Sequence, residues 1–513
     1  SGGDPCVIPE LNYTAFQRYH KEYYHPGNAF IYFYGDDDPQ ERLRRMDDYL
    51  KGYGRSTIDS SISLQPPLPA PRWLDIAYDA GENFGERQGM VTVNWLLSET
   101  AEPETTLGLH ILAYLLIGAP ASPLRKTLID SGLGEDLAGV GLESELRQMY
   151  FSTGLKGIAV EDAKRVEQLA LETLQNLTEN GIEKEMVEAA VNTIEFRLRE
   201  NNTGAFPRGL SLMLRALTTW LYNGDPFQPL AFEQPLEGIK KRLAAGERYF
   251  EELIRRYLVE NSHRTTVLLK PDPQLRQQRE VEEQQRLAAF RATLSGADLR
   301  AILENTQELQ RLQKTPDSAE ALRTIPSLRL GDLEKKIRRI PLDTVHFDHT
   351  TVLYHDLSTN GILYLDLGFN LKVLPPRLLP YAPLFGRALL EMGTEKEDYV
   401  RLSQRIGRLT GGITPSTYTT SVIGDASCAA QLFLRSKATA TRSMDLLHIL
   451  RDVLLSARLD NQERFRQMVL EEKAEQEAML APAGHRLVNS RLRAGFSAAD
   501  WAAEQMGGIS YLF

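Results

Sequence analysis

Few residues in this chain are spaced to do chemistry, and those few point in different directions. His346-Phe347-Asp348-His349, with His355 close behind, offers imidazoles and a carboxylate of the kind that hold a transition metal. Imidazoles three apart share a face only on a helix. Val345 to Leu357 instead alternates like a pair of strands, which turns His346 and His349 to opposite faces and reads them as surface or turn residues. Asp36-Asp37-Asp38 could attract Mg²⁺ or Ca²⁺, yet three adjacent carboxylates lack the spacing of an ion loop, and helix capping accounts for them better. Gly132-Leu133-Gly134 and Gly139-Val140-Gly141 do not extend into Gly-x-Gly-x-x-Gly, so a dinucleotide loop is not indicated. There is no Gly-x-Ser-x-Gly, and neither Cys6 nor Cys428 has a histidine in its local sequence. The expectation is therefore no catalytic and no metal-ligating residue in this chain.

Gly139-Val140-Gly141 has a different kind of reading. Small residues beside an edge strand let a second backbone approach closely, which suits capture of an extended peptide by strand addition. The plainer reading of the same three residues is a bulge or tight turn.

The elements that would position these residues follow from a phrase that occurs twice. Phe16, Tyr23, Asn28-Ala29-Phe30-Ile31-Tyr32-Phe33-Tyr34 and Asp38-Pro39 recur, at matching offsets, as Phe250, Tyr257, His263 to Leu269 and Asp272-Pro273. Each copy reads as an amphipathic helix, a turn, a strand and an Asp-Pro stop, with Asp38 and Pro39 placed to start a further helix. The second copy closes a long module, and the first reads as the end of a module that begins earlier. Gln65-Pro66-Pro67-Leu68-Pro69-Ala70-Pro71 is a linker. Met90 to Leu96 reads as a strand; Leu109, Leu112, Ala113 and Leu116 as a buried helix stripe; Ser122-Pro123 as a helix start; Ala163 to Asn176 and Lys184 to Arg199 as amphipathic helices. From Asp272 to about Thr324 a Gln-, Glu-, Arg- and Leu-rich stretch reads as an antiparallel helical hairpin restarted at Ser295-Gly296-Ala297-Asp298. Gly361 to Leu367 repeats the pattern of Gly89 to Trp95, and a helix over Leu379 to Met392 follows it. The expected organisation is residues 1–70 as the end of a first domain, 73–271 as a second domain, 272–325 as a helical linker, and 326–513 as a third domain lacking its closing elements. The fold class is α+β or α/β, built from tandem homologous domains. The half-module at 1–70 is expected to expose apolar surface.

The totals narrow the function classes. Hydrophobic residues make up 42% and charged residues 25% of 513, as in ordinary globular proteins. A net charge of -10 disfavours nucleic acid as a partner. Two cysteines and no Cys-x-x-Cys argue against a thiolate zinc site or a disulfide framework and for a reducing compartment. The apolar run from Leu109 to Ile117, interrupted by His110, is too short to cross a bilayer, so no membrane partner is expected. Asn201-Asn202-Thr203 is a formal glycosylation sequon without a secretory context.

Longer strings carry a resemblance. Tyr23-Tyr24-His25-Pro26, Tyr34-Gly35-Asp36-Asp37-Asp38-Pro39, Pro120-Ala121-Ser122-Pro123-Leu124-Arg125-Lys126, Phe206-Pro207-Arg208-Gly209-Leu210-Ser211-Leu212-Met213-Leu214 and Glu504-Gln505-Met506-Gly507-Gly508-Ile509-Ser510-Tyr511-Leu512 resemble, in collinear order, the presequence proteases of the pitrilysin-type zinc metallopeptidases, the inverzincins. The resemblance implies four homologous α/β domains in two halves, joined by a helical hairpin and closing like a clamshell on a peptide-sized chamber. It implies zinc held by His-x-x-Glu-His and a distant Glu, with the motif Glu as general base and an Arg and a Tyr from the fourth domain completing the site. His-x-x-Glu-His occurs nowhere in this sequence, and none of those residues carries over. In the family they lie before the point matching Ser1 or after the point matching Phe513. The expectation is the central portion of an endopeptidase for short unfolded peptides such as cleaved presequences or transit peptides. That portion would be inactive alone and bind no zinc itself, with the missing domains of the same enzyme as partners. Its compartment would be the plastid stroma or mitochondrial matrix, or a bacterial cytoplasm. Relatives hold the peptide's N-terminal end on an edge strand of the second domain, and Gly139, Val140 and Gly141 lie near the matching place. The alternative is a non-catalytic pitrilysin-like peptide-binding or scaffold subunit.

Overall fold

The computed structural model describes residues 5–81, 88–100, 102–201, 203–333, 335–337, 339–348, 350–359, 361–424 and 427–512. It divides into two compact units. The larger comprises Ser1–Ile76, Gly85–Lys270 and Leu363–Phe513, and the smaller Ala77–Phe84 and Pro271–Ile362.

The larger unit is organised by a five-stranded sheet ordered β1-β5-β2-β4-β3, with β1 Arg72–Asp79, β2 Gly89–Glu99, β3 Asp136–Glu143, β4 Gln148–Ile158 and β5 Arg264–Asp272. Strand β2 alternates inward and outward residues; Val91, Val93 and Trp95 are fully buried. Helices supply the covering layer. In chain order they are α1 (Tyr13–Tyr23), α2 (Pro39–Leu50), α3 (Pro103–Ile117), α4 (Pro123–Asp130), α5 (Ala163–Asn180), α6 (Lys184–Glu200), α7 (Arg208–Trp220), α8 (Glu233–Ala244) and α9 (Tyr249–Ile254). Val166, Ala170, Leu174 and Leu177 form the stripe with which α5 covers the sheet, at helical spacing. Leu109, Ile111, Leu112, Leu115 and Leu116 of α3 fill the same core. Trp95 sits at its centre, and its indole N–H donates to the Leu258 carbonyl at 2.8 Å, so the largest buried ring leaves no unpaired donor.

The repeated phrase meets two fates. In the second copy Phe250 and Tyr257 are buried, and the strand becomes β5, paired antiparallel with β2 from Met90↔Leu269 to Trp95↔Arg264. In the first copy the helix forms and Asp38 caps α2 through the Gln40 N–H, but the strand expected over Phe30 to Tyr34 is not formed. The difference is the partner. No strand among the described residues stands beside this segment, and a strand without a ladder leaves its N–H and C=O groups unmet. Phe30 instead packs edge-on against Trp220 of α7, with ring centroids 4.9 Å apart. Phe16, Tyr19, Tyr24, Phe33 and Tyr34 are exposed, in line with the apolar surface expected of this half-module.

The same unit holds a three-stranded sheet ordered β8-β10-β9, with β8 Ile362–Asn370, β9 Ile413–Ser421 and β10 Cys428–Thr439. In the smaller unit α10 (Leu275–Thr293) and α11 (Gly296–Lys314) bury none of their residues, and a Ser295–Asp298 capping box starts α11. A short α12 (Ala319–Arg323) and an antiparallel pair, β6 (Asp343–Phe347) and β7 (Thr350–Tyr354), follow. Helices α13 (Ala382–Glu391), α14 (Tyr399–Leu409), α15 (Ser443–Leu455), α16 (Gln462–Met479), α17 (Gly484–Arg493) and α18 (Ala498–Gly507) belong with the three-stranded sheet. Its core gathers Leu402, Leu434, Leu446, Ile449 and Val453. A seam joins its α14 to α6. There the Asn192 side-chain amide donates to the carbonyls of Gly407 at 2.7 Å and Thr410 at 3.1 Å, meeting two acceptors that the end of α14 leaves open. Together these elements make an α+β protein. No helix among the described residues is long and apolar enough to cross a membrane.

Candidate peptide-binding edge

Strand β3 is the outermost strand on its side of the five-stranded sheet, so one row of its backbone groups has no protein ladder. Its register against β4 runs Asp136↔Lys156, Leu137↔Leu155, Ala138↔Gly154, then resumes at Gly141↔Ser152. Three steps on β3 match two on β4, which is a β-bulge holding one extra residue. Gly139 lies at φ 93° and Gly141 at φ 72°, the left-handed region where a side chain is strained. A Cβ on Gly139 would stand 2.6 Å from the Ser152 carbonyl oxygen, so backbone meets backbone more closely than any other residue permits. Val140 projects between them and is 66% exposed.

The platform behind the bulge is tied down. The Ser152 hydroxyl, buried, donates to Asn94 Oδ1 at 2.6 Å, and Asn94 Nδ2 donates to the Thr265 carbonyl at 3.0 Å. Side chains of β4 and β2 and the backbone of β5 thus form one chain of hydrogen bonds under the edge. An ion pair between Lys156 and Asp136, at 3.1 Å, flanks its start. The matching outer strand of the other sheet is built differently. Strand β9 pairs with β10 as β3 pairs with β4, but Pro415 removes a donor from it and α18 and α13 pack against it.

The other sequence candidates are not gathered into a centre. His346 sits in β6 with Nδ1 3.2 Å from Thr351 Oγ1, and His355 Nδ1 lies 2.7 Å from the Pro341 carbonyl. His349 lies outside the described residues. Asp37 pairs with Arg42, whose guanidinium holds its carboxyl below the usual range, and Asp38 is the cap of α2. Among the described residues no group of three or more His, Cys, Asp or Glu is placed to hold a metal ion.

One feature was not singled out in the sequence. Beyond Glu143, Ser144 and Glu145 reach the rim of a cavity of about 530 Å³ enclosed by α3, α6, α7 and α8. His110 of α3 and Arg215 of α7 line it. Surrounding protein, and next the Arg215 charge, hold the His110 imidazole below its ordinary pKa, and burial pushes the Arg215 guanidinium down as well. The only sequence sign was that His110 interrupts an apolar run.

An α+β chain without a clustered metal site, carrying an open glycine-bulged edge, fits the description of the family that its sequence matches. Residues 10–194 match the model of the peptidase M16 inactive domain, and residues 269–513 match that of the associated domain of peptidase M16, subfamily C. The chain belongs to the M16 peptidase family. Among individual relatives it is similar to presequence protease 1, chloroplastic/mitochondrial, of Arabidopsis thaliana, 44% identical over 100% of this chain and 48% of that protein. Protein HypA of Clostridium perfringens is 32% identical over 100% of this chain and 52% of that protein. The mitochondrial presequence protease of Xenopus laevis is 29% identical over 94% of this chain and 47% of that protein. The chain thus spans about half the length of the curated relatives it matches. Among solved structures, the periplasmic protease PqqL of Escherichia coli aligns over 99% of this chain and 54% of that chain at 12% identity, with a TM-score of 0.37.

Proposed function

We propose that this chain is the peptide-receiving, non-catalytic portion of a zinc metalloendopeptidase that degrades short unstructured peptides, cleaved presequences or transit peptides among them. The observation that carries the reading is the open edge of β3. Gly139, Val140 and Gly141 present backbone groups and an exposed side chain where a second strand can lie. Strand addition reads backbone rather than sequence, which suits a protease whose substrates share extension and little else. The inactive-domain match and the presequence-protease relatives support it. In a complete enzyme the zinc would activate water, and its His-x-x-Glu-His ligands, absent from this sequence, would come from another segment. The names of the relatives favour the chloroplast or mitochondrion as its compartment.

The test uses the purified chain and a fluorescent unstructured peptide. Expected are saturable binding, no hydrolysis with added Zn²⁺, and no stoichiometric zinc by mass spectrometry. Hydrolysis that a chelator abolishes would overturn the non-catalytic reading. Absence of binding would overturn the receiving role.

A further inference from the structure

The cavity bounded by α3, α6, α7 and α8 has a composition that the strand edge does not explain. Leu107, Ile194, Leu198 and Phe232 make its walls apolar. Against them stand two groups suited to negative charge. The His110 imidazole has no hydrogen-bond partner among the described residues and opens on the cavity. Arg215 donates one N–H to the Pro229 carbonyl at 3.0 Å and has no carboxylate at ion-pair distance among the described residues. A guanidinium half-sunk in an apolar wall with no counter-ion is costly unless something compensates it. At about 530 Å³ the space falls within the range of small-molecule sites.

We propose that this cavity binds a carboxylate carried on an apolar body, with Arg215 and His110 receiving the charge and the apolar walls receiving the body. The carboxylate can come from the C-terminal residue of a peptide or from a free aliphatic acid. Both offer the same chemistry, and the site is argued independently of capture by β3. Arg215 supplies a fixed charge and a fork of donors. His110 is held neutral in the empty cavity by the surrounding protein and by Arg215. A bound anion reverses that balance, so the imidazole takes up a proton as the ligand docks. The other charged groups facing it are Arg197 from α6, which lies over the Tyr114 ring, and Glu145 from the turn after β3.

The test titrates the full chain by calorimetry with octanoate, N-acetylphenylalanine and N-acetylphenylalanine amide, and follows the His110 ring by NMR across pH. Expected is binding of at least one acid at or below the order of 1 mM, with the amide about tenfold weaker or worse and the His110 titration moved upward. N-acetylphenylalanine alone identifies a peptide C-terminus as the source; octanoate alone identifies a free acid; both support the site. Arg215→Gln and His110→Phe should each weaken the acid about tenfold. Should Arg215→Gln fail to fold, His110→Phe and the ring titration still decide. Equal binding of acid and amide, no heat from either acid, or a His110 titration unmoved by ligand overturns the proposal. Each of these leaves peptide binding at β3 untouched.

Discussion

Replacing Gly139 with alanine should damage the β3 edge more than its backbone angle alone predicts, and Gly132→Ala supplies the comparison. Both glycines have positive φ, 93° and 65°. At Gly132 an added Cβ meets nothing within 4 Å, so only the left-handed cost applies, about 1 kcal/mol. At Gly139 the Cβ would stand 2.6 Å from the Ser152 carbonyl oxygen. Ser152 cannot retreat cheaply, because its hydroxyl is bonded to Asn94 and its strand lies between β2 and β3. Forcing the bulge open adds about 1–3 kcal/mol of local strain, for a total of about 2–4 kcal/mol. The loss falls on the β3–β4 pairing and not on the whole sheet, because β3 is outermost. The assay is native hydrogen exchange at Leu137, Ala138 and Leu142. For Gly139→Ala about 2 kcal/mol means exchange about thirtyfold faster, while Gly132→Ala should leave these amides nearly unchanged. Peptide binding should weaken with the exchange. Equal effects from the two variants would refute the close-approach argument.

The duplicated phrase predicts unequal costs for equivalent residues: Phe250→Ala, in the core, should lose about 3–5 kcal/mol in urea unfolding, whereas exposed Phe16→Ala should stay within about 0.5 kcal/mol. Asn192→Ala strips one donor group from two carbonyls at the α6–α14 seam and should cost about 1–3 kcal/mol, read as a lower thermal midpoint of the three-stranded-sheet region. The Tyr249 phenol, buried and facing Glu104, is pushed up to about 12. Its folded pKa lies above its unfolded value, so the stability it contributes is complete below about pH 10 and declines as pH rises toward 12. Ultraviolet titration of wild type against Tyr249→Phe should show one phenol missing from the late phase, and a Tyr249 signal near pH 10 would contradict its placement.

Local pattern carried most of the element assignments. Alternation in Met90 to Leu96, the stripe of Ala163 to Asn176 and the Ser295 restart each depend on near neighbours, and each element formed where those neighbours pointed. Phe30 to Tyr34 failed for the opposite reason: a strand needs a partner that no local window contains, and the same pattern at Arg264 succeeded because β2 lies beside it. Gly139-Val140-Gly141 could be seen as small residues near an edge, but the bulge register depends on β4, a dozen residues away in the chain. The cavity was the least legible feature. His110 and Arg215 come from helices far apart in sequence, and only packing of α3 on α6 and α8, with α7 alongside, brings them to one wall.

The central claim is that an extended peptide lies along β3. Hydrogen exchange of the full chain, with and without a saturating unstructured peptide, tests it most directly. The account predicts slowed exchange at the amides of Gly139, Val140 and Gly141, and loss of that effect together with binding in Gly139→Ala. Peptide binding that leaves those three amides unprotected would contradict it.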